Sequence, residues 1–151
     1  MSLSKSKVNL FVMFNLPSAY LCGVRMKFID NQHCVVNVKH RWINQNPFKS
    51  IYFAVQAMAA ELSTGALVMS QIKNSNKNIS MLVANSKSNF SKKATGKITF
   101  TSYDGLLIEN SIKQAILTNE GQTVWMKSIG INEKGEQVSE FDFEWSVRVK
   151  V

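Results

Sequence analysis

The chain has 151 residues, 45% of them apolar, and a mean hydropathy near zero, which suits one domain (1–151) with a sizeable core and excludes a disordered or fibrous chain. Eighteen lysines and arginines against ten acids give a formal charge of +8, favouring anionic partners: nucleic acid, acidic lipid or a phosphorylated small molecule. The basic residues are scattered, with only Lys92 and Lys93 adjacent, so no nucleic-acid role is expected, and the two unspaced cysteines, Cys22 and Cys34, fit reduced thiols in a cytoplasmic protein.

In chain order, Leu10, Phe11, Phe14 and Leu16 fit a short amphipathic N-terminal helix ending before Pro17. Asn9 and Asn15 interrupt its apolar run and no small-x-small site follows, so a secretory leader is not expected. SAYLCG reads as a turn or loop. VRMKFI alternates with period two, and Asp30-Asn31-Gln32 turns into a second strand, HCVVNVKHRW. In that strand His40 falls on the apolar face with Cys34, Val36, Val38 and Trp42, as a core or rim residue and a candidate ligand contact.

The run from Asn46 to Ile72 dominates the sequence. From about 50 to 70 apolar residues cover nearly every face, which marks a helix buried all round. Twenty-one residues span about 30 Å, as a bilayer core does. Gln56, Glu61, Ser63 and Thr64 in mid-run argue against a membrane span, since a central carboxylate costs on the order of 2.5–3.5 kcal/mol. Asn46-Pro47 supplies an N-cap and a proline at the first helical position, with Ser50 as an alternative cap. Glu61 is the only acid between Asp30 and Asp104, an interval with nine lysines and arginines. A carboxylate among Met58, Ala59, Ala60 and Leu62 must be paired, protonated or functional, and a base or nucleophile is one reading.

Beyond the helix, KNSNKN is a polar turn, and ISMLVANSK and KATGKITFTSY read as strands. LLIENSIKQAILTN is a short helix or an irregular connection. TVWMKSIGI and VSEFDFEWSVRVKV are strands joined by a hairpin turn at Glu133-Lys134-Gly135. The last is the cleanest half-buried strand, with Phe141, Phe143, Trp145, Val147 and Val149 on one side. The expected fold class is α+β, an antiparallel sheet of about six strands curled around one long central helix.

Three segments carry a resemblance. LPSAYLCGVRM is similar to a "P-x-x-x-x-G-I-R-V" pattern, and NPFKSIYFAVQAMAAELSTG to "N-H-x-G-S-x-x-x-G-A-L-x-x-L-A-E-x-x-x-G", with Asn46, Ser50, Ala60, Glu61 and Gly65 in register. NFSKKATGKITF matches a strand that opens with an aromatic residue, a basic pair and glycine. Together they resemble the DUF4442 family, a hotdog-fold group related to acyl-CoA thioesterases. Lys49 stands where that pattern has glycine, Pro47 where it has histidine, and Phe53-Ala54-Val55 where it has a glycine-containing step.

The resemblance implies thioester hydrolysis. Glu61 would activate water or attack directly, and backbone N–H groups of Phe48, Lys49 and Ser50 at the helix start would hold the oxyanion. Ser50 and Glu61 lie about 16 Å apart along the axis, so one helix cannot aim both at one carbonyl. Two copies with antiparallel helices would, which makes the expected assembly a homodimer, or a tetramer of such pairs, with composite sites. Asn46 would bond near the thioester or hold the helix start, and Lys92 and Lys93 would meet coenzyme A phosphates. No metal or cofactor is expected beyond coenzyme A as part of the substrate; the partner is an acyl-CoA or acyl-carrier thioester, with no nucleic acid and no membrane. The rival is a dimer that binds an acyl or acyl-CoA group without cleaving it.

Overall fold

The structure, a computed structural model, describes residues 3–151. Four helices, α1 (Lys5–Asn15), α2 (Pro17–Leu21), α3 (Phe53–Ser75) and α4 (Gly105–Thr118), accompany six strands: β1 (Arg25–Ile29), β2 (Cys34–Lys39), β3 (Ile79–Phe90), β4 (Lys97–Ser102), β5 (Gln122–Ile131) and β6 (Gln137–Val149). The strands form one sheet in the order β1-β2-β4-β5-β6-β3, every pairing antiparallel. It curls around α3, whose Ala59, Ala60, Leu62, Ala66, Leu67 and Val68 are buried, and this is the hotdog fold the sequence leads one to expect. The helix is long and apolar enough to cross a membrane, yet two-thirds of its apolar window is buried inside the protein. Inward residues of β6 supply much of the opposing wall, with Phe141, Phe143, Trp145 and Val147 all buried.

Several local expectations are corrected. The central helix begins at Phe53, with Tyr52 as its cap residue, and continues to Ser75, where Asn76 in the left-handed region ends it. Asn46 and Ser50 do not cap it, because their side chains close a separate turn upstream. SAYLCG is largely helical: Pro17 takes the first position of α2, where a missing N–H costs nothing. β2 stops at Lys39, so Trp42 leaves the apolar face and is 83% exposed in a short 3-10 turn, Trp42–Asn44. The period-two reading of β1 fails at a bulge after Met26, which turns Phe28 outward onto His33. The ambiguous segment after β4 is the helix α4, burying Ile108, Ile112 and Ala115.

The two sheet edges differ. Along β1 the side chain of Asn9 in α1 donates to the carbonyl of Met26 and accepts from its N–H, at 2.9 and 2.8 Å, standing in for a strand partner. β3 pairs only with β6, and from Ala84 to Phe90 its side chains are exposed.

Candidate active site

Glu61 lies two turns into α3, half-buried, on the wall of a cavity of about 260 Å³ lined also by Met58, Leu62 and the segment Asn15 to Ala19. Burial alone shifts its carboxyl, pushing the pKa above the ordinary carboxylate range; among the described residues no cation or hydrogen-bond donor offsets it. Room for the carboxylate comes from Gly65 one turn on. A Cβ built there would meet Glu61 Oε1 at 3.3 Å and the Trp145 ring at 3.2 Å. Trp145 is itself fixed, its Nε1 donating to Thr64 Oγ1 at 2.9 Å.

The second group of residues surrounds the start of α3. Asn46 Oδ1 accepts from the N–H of Phe48 (2.9 Å) and of Ser50 (3.2 Å), while the Ser50 hydroxyl lies against both ends of the Asn46 amide at 2.9 and 3.1 Å. The Lys49 N–H donates to the Asn46 carbonyl at 3.1 Å. The three N–H groups expected to bind an oxyanion are therefore already occupied, and Lys49 has φ +57°, the left-handed conformation that glycine adopts without strain. That explains why a glycine fits this position in the pattern it resembles.

The free donors are one turn later. Val55 and Gln56 donate to the Tyr52 carbonyl, whereas Phe53 and Ala54 find no acceptor among the described residues, and no side chain caps the helix. Phe53 borders a pocket of about 410 Å³ with Asn46, Ser50, Gln56, Phe90, Lys92 and Lys93. Gln56, which the sequence marks only as a polar break against a membrane span, joins this site, and a glutamine on the buried face of an apolar helix is itself a signal. It is 4% exposed, its Nε2 reaches the Ile51 carbonyl at 3.5 Å, and its Oε1 has no donor.

Of the residues expected to act together, Asn46, Ser50, Lys92 and Lys93 share this pocket, and Lys49 sits on its adjoining turn. Lys92 is paired with Glu136, which holds that carboxyl below its usual range, and Lys93 Nζ approaches the Phe48 carbonyl at 3.5 Å. His40 is apart, past the end of β2, where its N–H donates to the Gly96 carbonyl and its Nε2 is buried without a partner. Glu61 lines the other cavity, about 12 Å along the axis from Phe53 at the helical rise. No group of three metal-ligating side chains occurs among the described residues.

Solved structures of the same shape are numerous. A Pseudomonas aeruginosa protein of unknown function described as a probable thioesterase superposes with a TM-score of 0.86 at 18% identity, over 99% of both chains. A Haemophilus influenzae thioesterase gives 0.73 at 12% identity over 99% of this chain and 93% of its own. The Escherichia coli PaaI protein of the phenylacetic acid degradation operon gives 0.63 at 14% over 93% and 96%. At such identities the likeness is one of fold. No curated protein sequence matches the chain. A family model described as a domain of unknown function, DUF4442, matches residues 5–147, and the protein belongs to that family.

Proposed function

We propose that this protein is an acyl thioesterase, hydrolysing an acyl-CoA or acyl-carrier thioester at a site shared by two copies of the chain. The observation that carries this reading is Glu61: an unpaired carboxyl with a raised pKa, walled by apolar side chains on the rim of a cavity. Such a group is a stronger base, once ionised, than one in water. The thioesterase descriptions of proteins with this fold point the same way.

In this mechanism the acyl chain occupies the apolar cavity and Glu61 removes a proton from a water molecule. The water oxygen bonds to the thioester carbonyl carbon, and the oxyanion is held by the Phe53 and Ala54 N–H groups at the positive end of α3. Collapse breaks the carbon–sulfur bond. The thiolate leaves with the electron pair and takes up the proton carried by Glu61, giving one acid and one thiol. Lys93, with Lys92 released from Glu136, would contact carrier phosphates at the pocket mouth.

Glu61 and the Phe53 N–H belong to different pockets of one chain, so the reading requires a homodimer. The exposed edge of β3 supports it: two copies paired there would set their α3 helices antiparallel, with the start of one beside Glu61 of the other. Exposed Phe48, Tyr52, Phe53 and Phe90 around the helix start then gain cover. Further pairing to a tetramer and a cytoplasmic location complete the proposal.

A second reading, binding without hydrolysis, is favoured by the bulk of Phe53 at the helix start. The deciding experiment follows free-thiol release from a panel of acyl-CoAs with wild type and Glu61→Gln. Hydrolysis by wild type, reduced about 10²-fold or more in the variant, is expected of a base. Equal rates would remove Glu61 as the base, and no release from any substrate that nonetheless binds would establish the binding reading.

A further inference from the structure

Helix α1 carries more apolar surface than the fold covers. Its inward face is Val8 and Val12, both buried, with Asn9 tied to the backbone of Met26. Lys7, Leu10 and Phe14 follow at spacings of three and four on the opposite face, with Phe11 beside them. Leu10 is 55% and Phe14 72% exposed. The surface continues beyond the helix: α2 ends in exposed Leu21, and Asn44 Nδ2 donates to both the Cys22 and Lys39 carbonyls at 2.9 Å, fixing the turn that displays Trp42 and Ile43 beside it.

Charge selects the occupant. No acid occurs before Asp30, while Lys5 and Lys7 both lie in the first turn of α1. No acid occurs between Asp30 and Glu61 either, and exposed Lys39 and Arg41 flank the Trp42 turn. Asp30, beside Leu3 at one end of the surface, already accepts from the N–H of Gln32 and of His33 and pairs with the His33 ring. A second copy is a poor fit, because a two-fold contact across α1 would set Lys5 and Lys7 of one copy against those of the other.

We propose that the outer face of α1, together with Leu21, Trp42 and Ile43, docks on an anionic lipid bilayer surface. Its leucine, phenylalanine and tryptophan side chains sink to the acyl boundary, and the lysines and arginine meet the headgroups, as in helices that lie in the membrane plane. This departs from the expectation of no membrane partner, and it concerns a bilayer surface only. Leu16, at the junction of α1 and α2, lines the cavity that holds Glu61. Docking therefore brings the mouth of that cavity toward the bilayer, and acyl chains arriving from the lipid phase are its natural cargo. That last step alone rests on the proposed function.

The test is co-sedimentation of the full chain with vesicles of phosphatidylcholine, alone or mixed with phosphatidylglycerol. Wild type should pellet with the mixed vesicles, remain in solution with the neutral ones, and be released by salt. Leu10→Ser with Phe14→Ser should lower partitioning on the order of tenfold or more per side chain, and Lys7→Glu by about fivefold to tenfold. All three side chains are exposed, so circular dichroism melts should match wild type. Wild type free in solution with both vesicles, or a double variant that binds as well as wild type, overturns the proposal. A change of oligomeric size in the double variant, seen by analytical ultracentrifugation, overturns it in favour of a second copy. The readout is binding, so it stands or falls separately from thioester hydrolysis.

Discussion

Glu61 and Gly65 share one groove of α3: a single methyl group at Gly65 would stand 3.3 Å from the Glu61 carboxylate oxygen and press on Trp145 as well. In most helix interiors glycine to alanine stabilises by roughly 0.5–1 kcal/mol. Here Trp145 cannot retreat, being 3% exposed and bonded to Thr64, so the carboxylate must move instead. Gly65→Ala should show no gain in melting temperature, or a loss within about 1–3 kcal/mol from overpacking. Thioester turnover should fall by more than the stability change accounts for. A stabilised, fully active variant would refute this relationship.

The pH dependence of stability follows from the raised pKa of Glu61. The folded state holds the proton more tightly than the unfolded chain, so stability falls as pH rises from the ordinary carboxylate value toward the folded one. Above that window the penalty is fully present, and below the unfolded pKa it vanishes. Glu61→Gln should melt higher than wild type at neutral pH and no higher in acid. Melting curves across that range check this, and a pH-independent difference would count against it. Turnover has the matching sign: a base must be ionised, so activity falls as pH drops through the raised pKa.

Lys49 occupies a conformation that costs a residue with a side chain about 1–2 kcal/mol. Its N–H is bonded to Asn46 and its side chain is exposed, so nothing else in the described structure depends on it. Lys49→Gly should raise stability by about 0.5–1 kcal/mol, the relief exceeding the entropy that glycine adds to the unfolded chain. Chemical denaturation measures it; a destabilised variant would show that the lysine makes a contact beyond the turn.

Asn46 organises the turn before α3 through four hydrogen-bonding contacts with Phe48 and Ser50. Asn46→Ala leaves those N–H groups and the buried Ser50 hydroxyl to find other partners, at about 1–3 kcal/mol. Turnover should drop with it, because Phe53 is positioned from this turn. Asn46→Asp, which keeps the acceptor oxygen, should recover most of the stability.

What the sequence discloses follows from the range over which each signal acts. The apolar stretch around Leu62 and Leu67 and the strict alternation from Phe141 to Val149 are local patterns imposed by burial, and each emerged as the element it suggested. Glu61 was conspicuous for the same reason, as a lone acid in apolar surroundings. The helix start was misplaced because Asn46-Pro47 has the chemistry of a cap, while Asn46 spends that chemistry on a turn; the first donors without an acceptor are accordingly Phe53 and Ala54. The outward Phe28 could not be foreseen, since a bulge is set by pairing with β2. Leu10 and Phe14 suggest an amphipathic helix, yet the fold buries Val8 and Val12 instead, because a sequence does not say which of two apolar faces the fold will use.

The bond between Asn9 and Met26 has a bearing on assembly. With the Met26 backbone engaged by a side-chain amide, the β1 edge is blocked to strand addition at that residue, while the β3 edge is open to it. Joining through the open side uses it up in both molecules at once, so such growth terminates at a pair and cannot run on into a filament.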